Sequence, residues 1–445
     1  MALRDEDMDK RREKREAMRR KQRSAARRMR LTLLVALIIL GLCGYGIWQL
    51  TQNGEDVQAA APTQATQPPT EATEPTQRSP LTTIHLRAAG DLNVTDSVVS
   101  SGIAVNGYDF SGVFKDVSSV LSGADLTFMN FEGNACGEPY GSETSSAPVR
   151  LLDDLRACGV DLLQVANSCA INNGINGLTA TLNSIRSAGI EPLGAYASSR
   201  EYQASKGYTI VEVKGVKIAF VAFTKGLGGR GMPAGSENLV NLLYVDYDNL
   251  YQEIDKDTIE TVLKNVQAER PDLTVALLHW GSEYNDDISK TQKSIANLML
   301  KRGVDVIIGT HPHTLQPIVF DQAAGTLVAY SLGDFFGDAV RGATNYSIVL
   351  DIEVTKDTTT GKTRVTDYSY IPIYTVTESE CPDQKRRVVR IQGAMKGYGL
   401  YDPTGENTSY PGRYLDSITL QCYEGMKYAL QRIEERIVMP EEKSS

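Results

Sequence analysis

A layered α/β fold is the expectation for this sequence, and three observations carry it. From about residue 82 onward, short apolar runs rich in β-branched residues alternate with segments of helical period. Run after run ends in a polar or ligating side chain, as strands do where an open α/β sheet binds its ligand. Two longer alternating segments, 346–354 and 363–374, flank Thr359-Thr360-Gly361-Lys362 and predict an antiparallel addition to the sheet.

The N-terminus has a different character. The whole chain of 445 residues has a net charge of −9. Its first thirty residues hold 13 Lys/Arg against 6 Asp/Glu, a balance of +7, so the remainder carries −16. An acidic main body excludes nucleic acid as the natural partner. Leu31 to Trp48 is uncharged and apolar, long enough to span a bilayer as a helix. The basic stretch before it predicts a cytoplasmic N-terminus and an extracellular main domain. No small-residue cleavage site follows directly, which favours an uncleaved anchor over a signal peptide. Leu42 stands before Cys43 where a lipoprotein signal expects a small residue. Residues 51–80 are rich in Thr, Pro and Gln and lack core formers, so they read as a disordered spacer. The predicted organisation is therefore a basic tail (1–30), an anchor (31–50), a linker (51–80), a folded domain (81–378) and a C-terminal extension with an amphipathic helix (379–445).

Within the folded part, 83–89 predicts a strand ending in Gly90-Asp91-Leu92-Asn93, and 124–131 a strand ending in Asn130-Phe131-Glu132. A helix near 148–158 leads to a strand over 160–165, followed by Ala166-Asn167-Ser168-Cys169. A helix over 177–188 closes at Gly189. Segments 208–213 and 216–223, joined by Lys214-Gly215, carry a hairpin signal. The glycine-rich 225–235 lacks the strand–helix setting of a phosphate loop and predicts a loop that is mobile or caps the site, a flexible lid or a plain connection. Helices over 257–269 and 290–302 alternate with strands over 273–278, 304–308 and 327–330, and a last helix is predicted over 415–437.

The chemistry concentrates at strand ends. Three of the four histidines, His279, His311 and His313, follow two neighbouring apolar runs. If Thr310 to His313 stays extended, His311 and His313 point to one side. With Asp91, Asn93, Asn130, Glu132 and Asn167, they offer mixed carboxylate, amide and imidazole donors. Such a set suits Mn²⁺, Fe²⁺ or Zn²⁺, singly or as a pair. The five cysteines beyond Cys43 are an odd number, so at least one thiol stays free or pairs between chains. Cys169 reads as a small buried hydrophobe or, with a stabilised thiolate, as a soft ligand or a nucleophile. The basic run Lys385-Arg386-Arg387 reads as a solvated turn.

The ordered blocks Gly90-Asp91, Asn130-Phe131-Glu132, Ala166-Asn167, His279-Trp280-Gly281-Ser282-Glu283, Gly309-Thr310-His311-Pro312-His313-Thr314-Leu315-Gln316-Pro317 and Tyr330-Ser331-Leu332-Gly333 resemble the bacterial capsule-synthesis CapA family. The resemblance covers about residues 83–375. It implies a calcineurin-like metallophosphatase fold, a β-sandwich flanked by helices, and a role in making poly-γ-glutamate or a related envelope polymer beside membrane-bound synthase subunits. It implies metal ligation by Asp91, Glu132, Asn167, His279, His311 and His313, with the three histidines as the catalytic candidates. Asn93, Asn130, Ser168, Cys169, Glu283 and Asp334 would line the site. The chain departs from the family pattern in two places. Ser168, Cys169 and Asn172 stand where the family has Asn, His and Asp, and Asp334 stands where it has Asn. Those departures leave two further readings open: a polymer-binding or synthase-scaffolding protein with a degenerate site, and an envelope phosphoesterase unrelated to capsule.

Overall fold

The computed structural model describes residues 80–381, 385–398 and 418–438. The expected anchor and linker lie outside the described residues. Among the described residues, no helix is long and apolar enough to cross a membrane.

The strands in chain order are β1 Leu81–Asn93, β2 Ile103–Ala104, β3 Gly107–Tyr108, β4 Leu126–Glu132, β5 Leu162–Gln164, β6 Glu191–Leu193, β7 Thr209–Val213 and β8 Val216–Thr224. They continue with β9 Leu273–His279, β10 Val306–Thr310, β11 Leu315–Asp321, β12 Thr326–Leu332, β13 Asp334–Phe336, β14 Tyr346–Asp357, β15 Thr363–Val376 and β16 Arg387–Arg390. The helices are α1 Asp96–Ser101, α2 Ser111–Leu121, α3 Arg150–Ala157, α4 Gly174–Ser187, α5 Ser199–Ser205, α6 Lys256–Ala268, α7 Lys290–Lys301, α8 Ile391–Tyr398 and α9 Leu420–Ile437.

Two sheets form the centre. One runs β16-β15-β14-β1-β4-β5-β6, with β13 also pairing β1; the other runs β11-β12-β10-β9-β8-β7. Side chains alternate as the pleat requires. On β8, Phe220 and Ala222 face the core shared by both sheets, while Ala219, Val221 and Phe223 face a second core with α6 and α7. Phe128 of β4 and Phe220 of β8 meet edge to face across the sandwich, with ring centres 5.3 Å apart. Helices α2, α3 and α4 add Phe114, Leu152 and Leu182 to the shared core. The result is a mixed α/β arrangement of two sheets with helices packed against them, as the sequence predicts.

Both long parallel runs end in one place. β1 pairs with β4 so that Asp91 stands opposite Asn130, and β9 pairs with β10 so that His279 stands opposite Thr310. The β1–β4 register slips between Ala88 and Asp91, the mark of a bulge that re-aims a side chain. Gly90 sits in that slip. A Cβ there would stand 1.8 Å from the carbonyl oxygen of Gly333, and the Asp91 N–H donates to the same oxygen at 2.9 Å.

Two expectations are corrected here. The backbone does not stay extended through the histidine block: β10 ends at Thr310, and His311 and His313 have φ of +91° and +58°. Their convergence comes from left-handed turns, which non-glycine residues adopt only when the surroundings impose them. Nor is Lys385-Arg386-Arg387 a solvated turn throughout. Arg386 is buried; it forks onto Glu378 at 3.0 and 2.9 Å and donates to the carbonyls of Gly337 and Asp338 at 3.0 and 2.7 Å. It thereby braces the loop that follows Asp334. Sequence alone shows only its charge, not the carbonyls it serves.

Candidate metal centre

Asp91 is fully buried. Its Oδ1 accepts from Asn130 Nδ2 at 2.6 Å, and its Oδ2 accepts from the His311 backbone N–H at 3.0 Å. The first bond joins the two parallel strands; the second ties them to the other sheet. Glu132 ends β4. Its Oε1 accepts from Ser168 Oγ at 2.5 Å and lies 3.4 Å from His279 Nε2, while its Oε2 lies 3.7 Å from His313 Nε2. His279 is buried with Nδ1 3.2 Å from Thr310 Oγ1. The His279 and His311 rings are 4.5 Å apart, and the His311 and His313 rings 6.2 Å apart. His313 Nδ1 lies 2.7 Å from Asp334 Oδ1, which fixes the ring and leaves Nε2 facing Glu132.

Three buried donor atoms here have no hydrogen-bond partner: Glu132 Oε2, His279 Nε2 and His311 Nδ1. Buried polar atoms are rarely left so, and three within neighbouring clusters of ligating side chains call for a ligand. The ligating atoms of Glu132, His311 and His313 lie within 4.8 Å of one another, as do those of Asp91, Glu132 and His279, and those of Asp91, His313 and Asp334. Carboxylate and imidazole donors at that spacing fit Mn²⁺, Fe²⁺ or Zn²⁺. Glu132 and Asp91 each belong to two of the three groups, so the donor set has room for more than one cation.

The electrostatics suit a cation at Asp91, Glu132 and His311, and at His313 once its proton is displaced. Burial pushes the Asp91 carboxyl well above its ordinary value; His313 opposes this, while Glu132 and Asp334 add to it. Burial acts on Glu132 in the same direction, but His279 and His313 outweigh it and hold that carboxyl well below the usual range. Burial, then His279, keeps His311 neutral far below its ordinary value. A neutral imidazole is the form that ligates a metal. For His313, burial is outweighed by Asp334 and Glu132, which raise it well above the ordinary value. Carboxylates crowded in a dry site repel one another, and cations would relieve that repulsion.

A sequence model of a bacterial capsule synthesis protein family, PGA_cap, matches residues 85–339. The chain belongs to that family. It is 29% identical over 262 residues to the PGA biosynthesis protein CapA of Bacillus subtilis, covering 57% of this chain and 64% of the relative. It is 27% identical over 276 residues to the capsule biosynthesis protein CapA of Bacillus anthracis, covering 60% and 63%. The match thus spans just under two thirds of each relative's length. Among solved structures, it is similar to a phosphatase from Mycoplasma pneumoniae, with 15% identity, a TM-score of 0.41, and coverage of 66% of this chain and 94% of the other.

Within this PGA_cap chain, the remaining expected residues fall into distinct places. Asn167 is buried beside Asn130 but braces the scaffold. Its Nδ2 donates to Asn130 Oδ1 at 3.0 Å and Phe131 O at 2.7 Å, and its Oδ1 accepts from Cys169 N at 3.1 Å. Asn93 is half-buried opposite Glu132 in the β1–β4 register. Cys169 Sγ lies 3.7 Å from both Ser145 Oγ and Ser168 Oγ. Burial and the nearby Glu132 push its thiol up to about 11, so it stays a thiol rather than a thiolate nucleophile. Cys136, Cys158, Cys169 and Cys422 are free thiols. Glu283 is exposed on the rim.

Sequence reasoning missed Tyr284, Lys225 and Arg341. Tyr284 stacks on His313 with ring centres 5.5 Å apart, and the Arg341 guanidinium lies 3.9 Å from the centre of the Tyr284 ring. Tyr284 neighbours the His279–Glu283 block, a signal that was available; Arg341 carried none. Gln316, inside a recognised block, donates to Asn285 O at 2.8 Å and Asp287 O at 3.1 Å and so holds the Tyr284 loop in place.

Asp334 is a positioning residue for His313. Asp334→Asn is expected to weaken divalent-metal affinity roughly tenfold to a hundredfold, the usual cost of losing a carboxylate behind a ligating histidine. Isothermal titration with Mn²⁺ or Zn²⁺ checks this; unchanged affinity would mean that His313 needs no such partner.

Proposed function

We propose that this protein acts in the biosynthesis of poly-γ-glutamate or a related anionic envelope polymer. In this reading it is anchored to the cell membrane by the apolar run at 31–48, with the metallophosphatase-like domain outside and membrane-bound polyglutamate synthase subunits as its neighbours. The domain carries a metal-dependent hydrolase-like centre. The observation that carries the catalytic part is that Glu132 Oε2, His279 Nε2 and His311 Nδ1 are buried and unpartnered, while Glu132 shares one close ligand group with His311 and His313 and another with Asp91 and His279. Family membership and the printed names of the two Bacillus relatives support the polymer.

Glu132, His279, His311 and His313 would hold the metal with Asp91. A bound divalent cation supplies Lewis acidity and eases deprotonation of water. The protein's own groups do the rest. Asp334 holds the His313 ring in one orientation. Ser168 donates to Glu132 Oε1 and leaves Oε2 free to face the histidines. His311, held neutral, keeps Nδ1 available as a donor atom or proton acceptor. Tyr284 covers one face of His313 and limits its contact with water.

The second reading, a polymer-binding scaffold without turnover, is favoured by one observation. Cys169, a thiol beside Glu132, stands where the family pattern has an imidazole. The experiment is to incubate the full chain with Mn²⁺ or Zn²⁺ and γ-linked glutamate oligomers, alongside a panel of phosphate esters, and follow products by mass spectrometry. Metal-dependent shortening or transfer of the oligomer supports the catalytic reading. Binding without product supports the scaffold. Turnover of phosphate esters alone overturns the polymer assignment.

A further inference from the structure

Beside His311 lies a cavity of about 340 Å³ whose charged groups the candidate metal centre does not use. Its size falls at the small-ligand end of the usual range of about 300–1,000 Å³. Lys225, Glu283, Tyr251 and Ser168 line it together with His311. Lys225 follows directly on β8, and its backbone N–H donates to His279 O at 2.7 Å, so it is fixed relative to the histidines. Its ammonium donates to Gly281 O at 2.7 Å and lies 4.6 Å from the centre of the Tyr251 ring. An ammonium has three N–H donors, and the other two are free for a ligand. Among the described residues it makes no ion pair.

Gly228 and Gly229 also line the cavity, with φ of +61° and +75°; a Cβ on Gly229 would meet nothing within 4 Å, and one on Gly228 would stand 3.1 Å from Arg230 Nη1 and 3.2 Å from Ser168 O. The cavity lining thus brings the Lys225 ammonium and the Glu283 carboxylate together beside the His311 imidazole. A dianionic phosphate would be repelled by Glu283. A singly charged carboxylate whose own α-carbon bears an N–H satisfies both charged groups at once. A γ-linked glutamyl unit carries that pair.

We propose that this cavity is the subsite for the α-carboxylate of a γ-linked glutamyl unit, with Lys225 Nζ pairing the carboxylate and Glu283 accepting the adjacent amide N–H. This inference rests on the polymer reading above and adds which part of the polymer is recognised, and where.

The test is calorimetric binding of a γ-linked glutamate oligomer to the full chain. Wild type is expected to bind. Lys225→Met should weaken binding roughly tenfold or more, as loss of a charge-assisted bond does. Lys225→Arg should retain most of the affinity, and Glu283→Gln should lose a few-fold. The oligomer's α-methyl ester and inorganic phosphate should neither bind nor compete. Equal binding by wild type and Lys225→Met overturns the subsite and leaves the polymer reading standing. No binding of the oligomer to wild type overturns both. Competition by phosphate reassigns the cavity to phosphate esters and overturns the proposal. If Lys225→Met does not fold, Glu283→Gln and the methyl ester decide: an ester that binds as tightly as the free acid overturns it.

Discussion

Alanine at both His311 and His313 is expected to strip the protein of divalent metal, with a loss in affinity of at least about a hundredfold. The two side chains supply imidazole nitrogens to the groups that also contain Glu132, Asp91 and Asp334. Losing a residue that merely orients a ligand costs about ten- to a hundredfold, so losing two ligands costs more. The double variant also leaves the carboxylates of Asp91, Glu132 and Asp334 buried without the opposing charge of His313. Plasma mass spectrometry of the dialysed full chain reads the metal directly. Retention of metal by the variant would place the ion elsewhere.

Gly90→Ala is expected to produce a large loss of stability for a single added methyl group. The added Cβ would stand 1.8 Å from Gly333 O, inside any real contact distance, and the obstacle is backbone rather than a flexible side chain. Either β1 or the turn before β13 must move, at a cost of about 3 kcal/mol or more. Those two segments carry Asp91 and Asp334, so metal affinity should fall along with the denaturation midpoint. Chemical denaturation of the metal-free protein checks the first effect, and metal titration the second. A variant as stable as wild type would mean that β1 and the Gly333 turn are free to separate.

The parts of this architecture that were legible in the sequence are those where local pattern and burial agree. The run 304–308 is apolar because β10 is buried within a parallel sheet, and β8 is apolar almost throughout because its two faces serve two different cores. The Lys214-Gly215 hairpin was readable because both residues take positive φ. What failed depended on distant partners. β11 contains Pro317, which argues against a strand; it is tolerated because β11 is the edge of its sheet. β6 contains Pro192 at the edge of the other sheet for the same reason. The left-handed turns at His311 and His313 cannot be read from side-chain type; the Asp91 bond to the His311 N–H and the Asp334 contact hold them in place.

The same division holds at the centre. Asp91, Glu132, His279, His311 and His313 were readable because each ends or follows a recognisable strand, and all five converge. Asn167 was readable as a site residue, but its bonds to Asn130, Phe131 and Cys169 show it bracing the scaffold. Lys225 was not singled out because a lysine at the start of a glycine-rich loop looks like ordinary solvated surface. Its hydrogen bond to Gly281 and its place against His311 appear only in three dimensions.

Glu132, His279, His311 and His313 are expected to bind a divalent metal together with Asp91. Anomalous diffraction from crystals of the full chain grown with Mn²⁺ should show a peak within bonding distance of Glu132 and at least two of His279, His311 and His313. Crystals that show no peak there, or a peak held by other residues, would contradict this assignment.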